Sequence, residues 1–135
     1  MKEITLKARI DNISVATGFI DEALEALGCS MKAQMQIDVA IDELFGNIAR
    51  YAYGGAEGDV TVSLDFEEDT RTALITFSDR GEPFDPTAAL EPDVNIPAAE
   101  RQVGGLGIFL VRKTMDGMDY AYENGQNVLT IRKKI

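Results

Sequence analysis

The sequence predicts an α+β fold, a two-layer sandwich in which three helices cover one face of a mixed, mainly antiparallel sheet. Apolar residues recur at helical spacing in three segments and alternate with polar residues in about five others. Two pairs of the alternating segments are joined by short turns, which indicates hairpins. The chain has 135 residues and no repeat or linker divides it, so we expect one domain over residues 1–135.

The composition is that of a globular protein with a strong negative charge. Apolar residues make up 45% of the chain and charged residues 27%, and the formal net charge is −10. That charge argues against direct nucleic-acid binding and is compatible with a basic protein partner. The chain has no histidine, which excludes His-based catalysis, and its single Cys29 excludes an internal disulfide. With no apolar segment long enough for a membrane span and no signal peptide, we expect a cytoplasmic protein without membrane contact.

The first two elements are predicted by alternation and then by helical spacing. Residues 3–10 alternate and predict a half-buried strand. A helix is expected over residues 15–28, with Asp11 or Asn12 at its start and Gly28 as a left-handed residue at its end. Its apolar stripe, which should pack on the sheet, comprises Ile13, Ala16, Ile20, Ala23, Leu24 and Leu27.

A second helix, capped by Ser30, carries the first candidate functional pair. In its part between residues 37 and 53, Glu43 and Asn47 lie one turn apart at the edge of the apolar stripe, while Asp38 points to solvent. A carboxylate and an amide in this position can hold a hard cation and orient a nucleophile. The alternative is a half-buried polar pair that only satisfies backbone groups. The apolar stripe comprises Ile37, Ala40, Ile41, Leu44, Ile48 and Tyr51.

A hairpin and a long irregular segment follow this helix. The hairpin is predicted from two alternating segments, residues 60–66 and 71–78, around an acidic turn. Residues 79–103 show no periodicity and contain all four prolines of the chain, which is typical of a lid or a binding loop. We therefore expect a lid over roughly residues 80–104.

The third helix and a second hairpin complete the predicted fold. Glycines open this helix and Gly117 is expected to end it. Two strands, residues 118–123 and 127–135, then pair around a turn at Asn124–Gly125. The apolar side of the third helix comprises Ile108, Val111 and Met115.

Two further segments offer candidate ligand contacts. Asp79 ends an interior strand, where a carboxylate can accept a hydrogen bond from an exocyclic amine, and Gly81 has no Cβ to keep a flat ring from the backbone. Gly104, Gly105 and Gly107 open a helix whose free amides would let the backbone wrap an oxyanion. This segment matches neither the Walker A loop nor the G-x-G-x-x-G pattern. Taken alone, the two segments are also compatible with an ordinary turn and a hinge.

Together, the three motifs in this order resemble the N, G1 and G2 boxes of the GHKL ATPase superfamily, which has the Bergerat ATP-binding fold. The segments DELFGNIARYAYGG, DRGEPFDP and GGLGIFLVRKTMD resemble in particular the bacterial anti-sigma-factor serine-protein kinases of the RsbW and SpoIIAB type. This resemblance covers nearly the whole chain. It implies binding of ATP with Mg²⁺ and phosphorylation of an anti-anti-sigma (STAS-type) protein. It also implies a sigma-like factor as a second partner and a possible homodimer.

The resemblance also assigns roles to the residues of the first two motifs. Asn47 would ligate Mg²⁺ together with the nucleotide phosphates. Glu43 would act as general base, or would orient the attacking hydroxyl of a partner's Ser or Thr. Asp79 would bond the amino group of adenine, and Gly81 would give the ring room.

The remaining assignments concern phosphate and the last strand. By the same resemblance, Gly104, Gly105 and Gly107 would bind phosphate, and Arg101 would neutralise phosphate charge from the lid. Asn127 stands where the family often has a Thr and would have to supply that polar contact. Two alternatives to a kinase remain open. One is a non-catalytic, nucleotide-dependent switch that binds a protein partner, and the other is a phosphotransfer domain that uses a partner's histidine.

Overall fold

The structure, a computed structural model, describes residues 1–88 and 105–135, so most of the predicted lid lies outside the described residues. The strands are β1 (Lys2–Lys7), β2 (Asp59–Glu67), β3 (Thr72–Asp79), β4 (Gly117–Glu123) and β5 (Gln126–Lys134). The helices are α1 (Ile13–Ala26), α2 (Met31–Asn47) and α3 (Gly105–Thr114). Shorter turns are a π-helical turn (Ile48–Ala52) directly after α2 and two 3₁₀ turns (Ile10–Asn12 and Pro86–Ala88).

The strands form one sheet in the order β1-β2-β3-β5-β4, and the helices pack on one face of it. The predicted α+β sandwich is confirmed. The expectation of a mixed sheet is wrong, because every pair among the described strands is antiparallel. The β4–β5 hairpin places β4 at the edge, so β5 returns beside β3 in the opposite direction.

The core lies between the sheet and the helices. Alternate residues of the central strands face the helices, as the period of two requires. The apolar stripe predicted for α1 is buried or half-buried as expected. The largest fully buried side chains are Phe45, Phe77, Ile20, Leu24, Ile37, Ile41, Ile75, Ile131, Val60, Val62 and Val111.

The segment before α1 differs from its prediction. The first strand ends at Lys7 rather than at residue 10, and Ile10 is 46% exposed instead of buried. Asn12 stands at the start of α1, but its side-chain amide donates to the Lys7 carbonyl at 2.9 Å and does not cap the helix. The prediction for the end of α1 is confirmed, because Gly28 has a φ of +74°.

Ser30 caps α2 as predicted, and its hydroxyl accepts a hydrogen bond from the Ala33 amide at 3.2 Å. The predicted apolar stripe holds as far as the end of α2. Tyr51 was expected to continue it but is 52% exposed, because the π-helical turn has more residues per turn and shifts the phase of the side chains.

Asp38 is a second exception on α2. It was expected on the solvent side, but it is half-buried and its carboxyl group meets that of Asp21 on α1. Burial, followed by the hydrogen bond and the negative charge of Asp21, raises the pKa of Asp38 to about 7. A one-dimensional pattern could not predict this contact, since the two residues lie on different helices.

The second hairpin is close to its prediction. Asn124 and Gly125 have φ values of +53° and +76°, and such a pair of left-handed residues forms the tight turn between β4 and β5. Gly117 does not end α3 as expected. It is the first residue of β4, where a Cβ would collide with the guanidinium of Arg132. None of the helices within residues 1–88 and 105–135 has the length and hydropathy of a membrane span.

Candidate functional site

Asp79 and Asn127 face each other at one end of the two central strands. The register of β3 and β5 pairs them, and their exposed fractions are 5% and 6%. The amide nitrogen of Asn127, Nδ2, donates to Oδ1 of Asp79 at 3.0 Å. Both side chains face the helical layer, so they form a polar pair at the edge of the core.

The side chain of Asn127 is bonded to protein groups at both of its polar atoms. Nδ2 also donates to the carbonyl of Glu82 at 2.9 Å, with the carbonyl of Gly81 at 3.4 Å. Oδ1 accepts from the backbone amide of Phe84 at 3.1 Å and from the hydroxyl of Tyr120 on β4. Both amide hydrogens therefore have acceptors within the protein, and Asn127 holds the loop after β3 in place.

That loop also rests on the end of the helical segment. The Gly81 amide donates to Oδ1 of Asp79 at 2.9 Å, and the Glu82 amide donates to the carbonyl of Ala52 at 2.9 Å. A Cβ at Gly81 would overlap the backbone of Ala52. The absence of a side chain at Gly81 thus has a structural reason in this close approach.

Tyr53 ties the same loop to β2. Its hydroxyl accepts a hydrogen bond from the Arg80 amide at 2.9 Å and donates to the carbonyl of Asp59. Burial raises the pKa of Tyr53 above its ordinary value, which is itself well above neutral pH, so the hydroxyl is a donor. Next to it lies an open depression of about 330 Å³. It is lined by Ala52, Tyr53, Gly54, Arg80, Gly81 and Glu82.

The helix side of the site combines Glu43 and Asn47 with the start of α3. Glu43 and Asn47 are both half-buried on the edge of α2, as the sequence predicts. A Cβ built on Gly107 would overlap the carboxylate of Glu43, so the first turn of α3 lies directly against that carboxylate. Oδ1 of Asn47 is buried and has no hydrogen-bond partner among the described residues. The first turn of a helix, whose amides have no partner within the helix itself, and an oxygen acceptor without a partner among the described residues therefore lie near one acidic group.

Asn47 is suited to a magnesium ion that arrives with phosphates. Mg²⁺ prefers oxygen ligands, keeps several waters, and takes one or two protein oxygens together with the phosphates of its substrate. No group of three or more His, Cys, Asp or Glu side chains in the described ranges could hold a metal ion by itself. The unused Oδ1 of Asn47 fits a magnesium ion that is held jointly by a protein oxygen and by the phosphates of a substrate.

The structure brings the predicted residues together in two groups. Asp79, Gly81 and Asn127 lie on the sheet side, and Glu43, Asn47 and Gly107 on the helix side. Gly105 begins α3, whereas Arg101 and Gly104 lie outside the described residues. Sequence analysis missed Tyr53 and Tyr120. The only available signal was that a partly buried tyrosine hydroxyl usually finds a polar partner.

Comparisons with known proteins find similarity over most of the chain. A family model described as a histidine kinase-like ATPase domain matches residues 6–133. The serine-protein kinase RsbW of Listeria monocytogenes serovar 1/2a is 28% identical over 131 residues, which is 93% of this chain and 82% of the relative. The serine/threonine-protein kinase BtrW of Bordetella bronchiseptica is 28% identical over 102 residues, which is 76% of this chain and 71% of the relative. The solved histidine kinase AdeS of Acinetobacter baumannii is similar in fold alone, with a TM-score of 0.53 and 12% identity over 99% of this chain and 68% of that chain.

Proposed function

Since this chain belongs to the family of histidine kinase-like ATPase domains, we propose that it is an ATP- and Mg²⁺-dependent serine/threonine protein kinase of the anti-sigma-factor type. Its substrate is a hydroxyl group on a small anti-anti-sigma protein of the STAS type, and a sigma-like factor is its second partner. Relatives that match over most of this chain are named serine-protein kinase and serine/threonine-protein kinase, which supports the proposed reaction.

The observation that carries the proposal is the contact between Glu43 and Gly107. Transfer of a phosphoryl group needs a carboxylate near the attacking hydroxyl and positive groups around the phosphate oxygens. The first turn of α3 offers backbone amides, and it touches the carboxylate of Glu43. Asn47, one turn further along α2, supplies the oxygen for a magnesium ion, whose charge would stabilise the phosphates.

On the sheet side, Asp79 is proposed to bind the base. Its Oδ1 is occupied by the Gly81 amide and by Asn127, and Oδ2 accepts no hydrogen bond from the described residues. A carboxylate oxygen at the edge of the core is a suitable acceptor for the exocyclic amine of adenine. The depression beside Gly81 is the space that we assign to the ring.

The proposed reaction is an in-line displacement at the γ-phosphorus of ATP. The hydroxyl oxygen of the partner's Ser or Thr forms a bond to this phosphorus. The bond between the phosphorus and the oxygen that bridges to the β-phosphate breaks, and ADP leaves with that oxygen. Glu43 accepts the hydrogen bond of the hydroxyl and so directs its lone pair at the phosphorus, and the proton passes to the carboxylate or to the transferred phosphate.

The test uses the full chain, γ-labelled ATP, Mg²⁺ and purified STAS-type proteins from the same organism. We expect label on a Ser or Thr of the partner, and none after Glu43→Gln. Nucleotide binding without transfer of label to any such partner would overturn the kinase proposal. It would favour the alternative of a non-catalytic switch, in which nucleotide changes the affinity for a partner and Glu43→Gln has no effect on that change.

A further inference from the structure

We infer that Asn127 and Tyr120 are positioning residues that make the site selective for the base. They hold Asp79 as a hydrogen-bond acceptor, so that a purine with an amino group at position 6 binds and one with an oxo group there is rejected. The inference rests on the proposed binding of the base at Asp79. It assigns Asn127 a different role from direct contact with the nucleotide, and it adds Tyr120 to the site.

The orientation of the Asn127 amide is determined by its neighbours. The Glu82 carbonyl can only accept a hydrogen bond, and the Phe84 amide can only donate one. The Glu82 carbonyl oxygen lies 2.9 Å from Nδ2 of Asn127, and the Phe84 amide nitrogen lies 3.1 Å from Oδ1. A flipped amide would set oxygen against oxygen at Glu82 and nitrogen against N–H at Phe84. The amide therefore has to turn its nitrogen toward Asp79.

Tyr120 supports the same orientation from the edge strand. Its hydroxyl donates to Oδ1 of Asn127. Burial raises the pKa of Tyr120, the hydrogen bond with the Phe84 backbone opposes this, and the negative charges of Asp85 and Asp79 add to the rise. A tyrosine hydroxyl is protonated at neutral pH already at its ordinary pKa, so Tyr120 is available as a donor. The second donor to Oδ1 thus adds to the cost of turning the amide around.

The consequence for Asp79 is that its protein neighbours are donors. The Gly81 amide and Asn127 Nδ2 both donate to Oδ1, at 2.9 and 3.0 Å. Neither requires Asp79 to carry a proton, and a carboxylate without a proton can only accept. A 6-amino group donates to such an oxygen, whereas the lone pairs of a 6-oxo group would face it unpaired, and a buried polar group without a partner discriminates strongly.

The test compares the dissociation constants of ATP and GTP for purified wild-type chain and three variants, across a range of pH. Asn127→Asp puts a second carboxylate against Asp79, so the two groups would share a proton and Asp79 could donate. We expect the ratio of the GTP and ATP dissociation constants to fall at least tenfold and to become dependent on pH. Tyr120→Phe should lower the ratio roughly two- to tenfold, the effect of one lost hydrogen bond.

Tyr122→Phe is the matched control. Tyr122 lies opposite Asn127 on β4, but it is 48% exposed and its hydroxyl makes no hydrogen bond to Asn127 among the described residues, so the ratio should equal that of wild type. Wild-type chain that binds no nucleotide would overturn the proposed function and this inference together. Wild-type chain that prefers ATP, with the preference unchanged in Tyr120→Phe and Asn127→Asp, would overturn the inference alone. A general loosening of the site weakens both nucleotides alike and leaves the ratio constant. If Asn127→Asp does not fold, the ratio measured for Tyr120→Phe tests the inference by itself. This variant loses a single oxygen atom and is therefore expected to fold.

Discussion

On the sheet side of the site, Asn127 has both polar atoms of its side chain bonded to protein groups, while on the helix side Asn47 has a buried oxygen with no partner in the described residues. The residue type is the same, and the environments differ. A fully bonded buried amide holds the chain in one arrangement, whereas an unbonded buried acceptor is costly unless a ligand uses it. The comparison separates an amide on the sheet side whose polar atoms are both used within the protein from an amide on the helix side that keeps an oxygen for a ligand, as we propose.

An unbonded oxygen is not sufficient to mark a site, however. Gln36 and Asp38 on α2 and Asp21 on α1 each have a buried oxygen without a partner in the described part of the chain. Asn47 differs from them because it lies one turn from Glu43, which touches the start of α3. The following four predictions test this distinction and are ordered by the size of the expected effect.

Glu43→Gln should abolish phosphate transfer while leaving nucleotide binding close to wild type. Loss of a positioned acid–base group costs typically about 10²- to 10⁴-fold in rate. Transfer of label and the dissociation constant of ATP are measured in parallel. Asp42→Asn, which removes an exposed carboxylate from the adjacent position, is the control and should transfer label normally. Equal losses of label transfer in the two variants would contradict a specific role of Glu43 in the reaction.

Asn47→Ala should weaken ATP binding in the presence of Mg²⁺ by about 10- to 100-fold, the usual range for damage to a metal shell. Titration of a fluorescent ATP analogue, with and without Mg²⁺, measures the change. Gln36→Ala removes an equally unbonded oxygen from the same helix and should bind like wild type. A loss of affinity that is independent of Mg²⁺ would contradict the assignment of Asn47 to the metal.

Gly81→Ala should destabilise the chain by about 1–3 kcal/mol, because the new Cβ overlaps the backbone of Ala52 and neither segment can move freely. Gly18→Ala is the matched substitution. Apart from its chain neighbours and the backbone of its own helix, no atom lies within 4 Å of the added Cβ in α1, so a gain of about 0.5–1 kcal/mol is expected from helix propensity. Thermal unfolding of both variants measures the difference. Equal stability of the two would show that the sheet side tolerates displacement of its loop.

Asp38→Asn should change stability and leave nucleotide binding unaltered. The pKa of Asp38 is raised from 3.8 to about 7, so its stabilising protonated form is complete below about pH 4 and is lost as the pH rises to 7. Asn cannot ionise, and the variant should therefore be more stable than wild type above pH 7, by about 1 kcal/mol or less for this partly solvated pair. The gain should disappear near pH 4. Thermal melts at a series of pH values measure it, and a gain that is constant with pH would contradict the shared proton with Asp21.

The sequence could predict those features that depend on neighbours along the chain. The cap at Ser30, the left-handed Gly28 and the edge position of Glu43 and Asn47 follow from local chemistry and helical period. The contact between Asp38 and Asp21 depends on how two helices pack, so the pattern placed Asp38 on the wrong side. The bonds of Tyr53 and Tyr120 join strands and loops far apart in sequence, and no local signal indicated which partners they would find.

The pairing of Asp79 with Asn127 has a consequence for the folding reaction. Both hairpins, β2–β3 and β4–β5, close short loops, whereas the bond between these two side chains joins residues 48 positions apart. Closing a longer loop costs more chain entropy, and contacts between distant residues slow folding. Asp79 gains the hydrogen bond from Asn127 only when the two hairpins meet across the middle of the sheet, whereas its bond with the Gly81 amide is local. On the proposed function, the ability to recognise a base is therefore gained late in folding, when β3 pairs with β5.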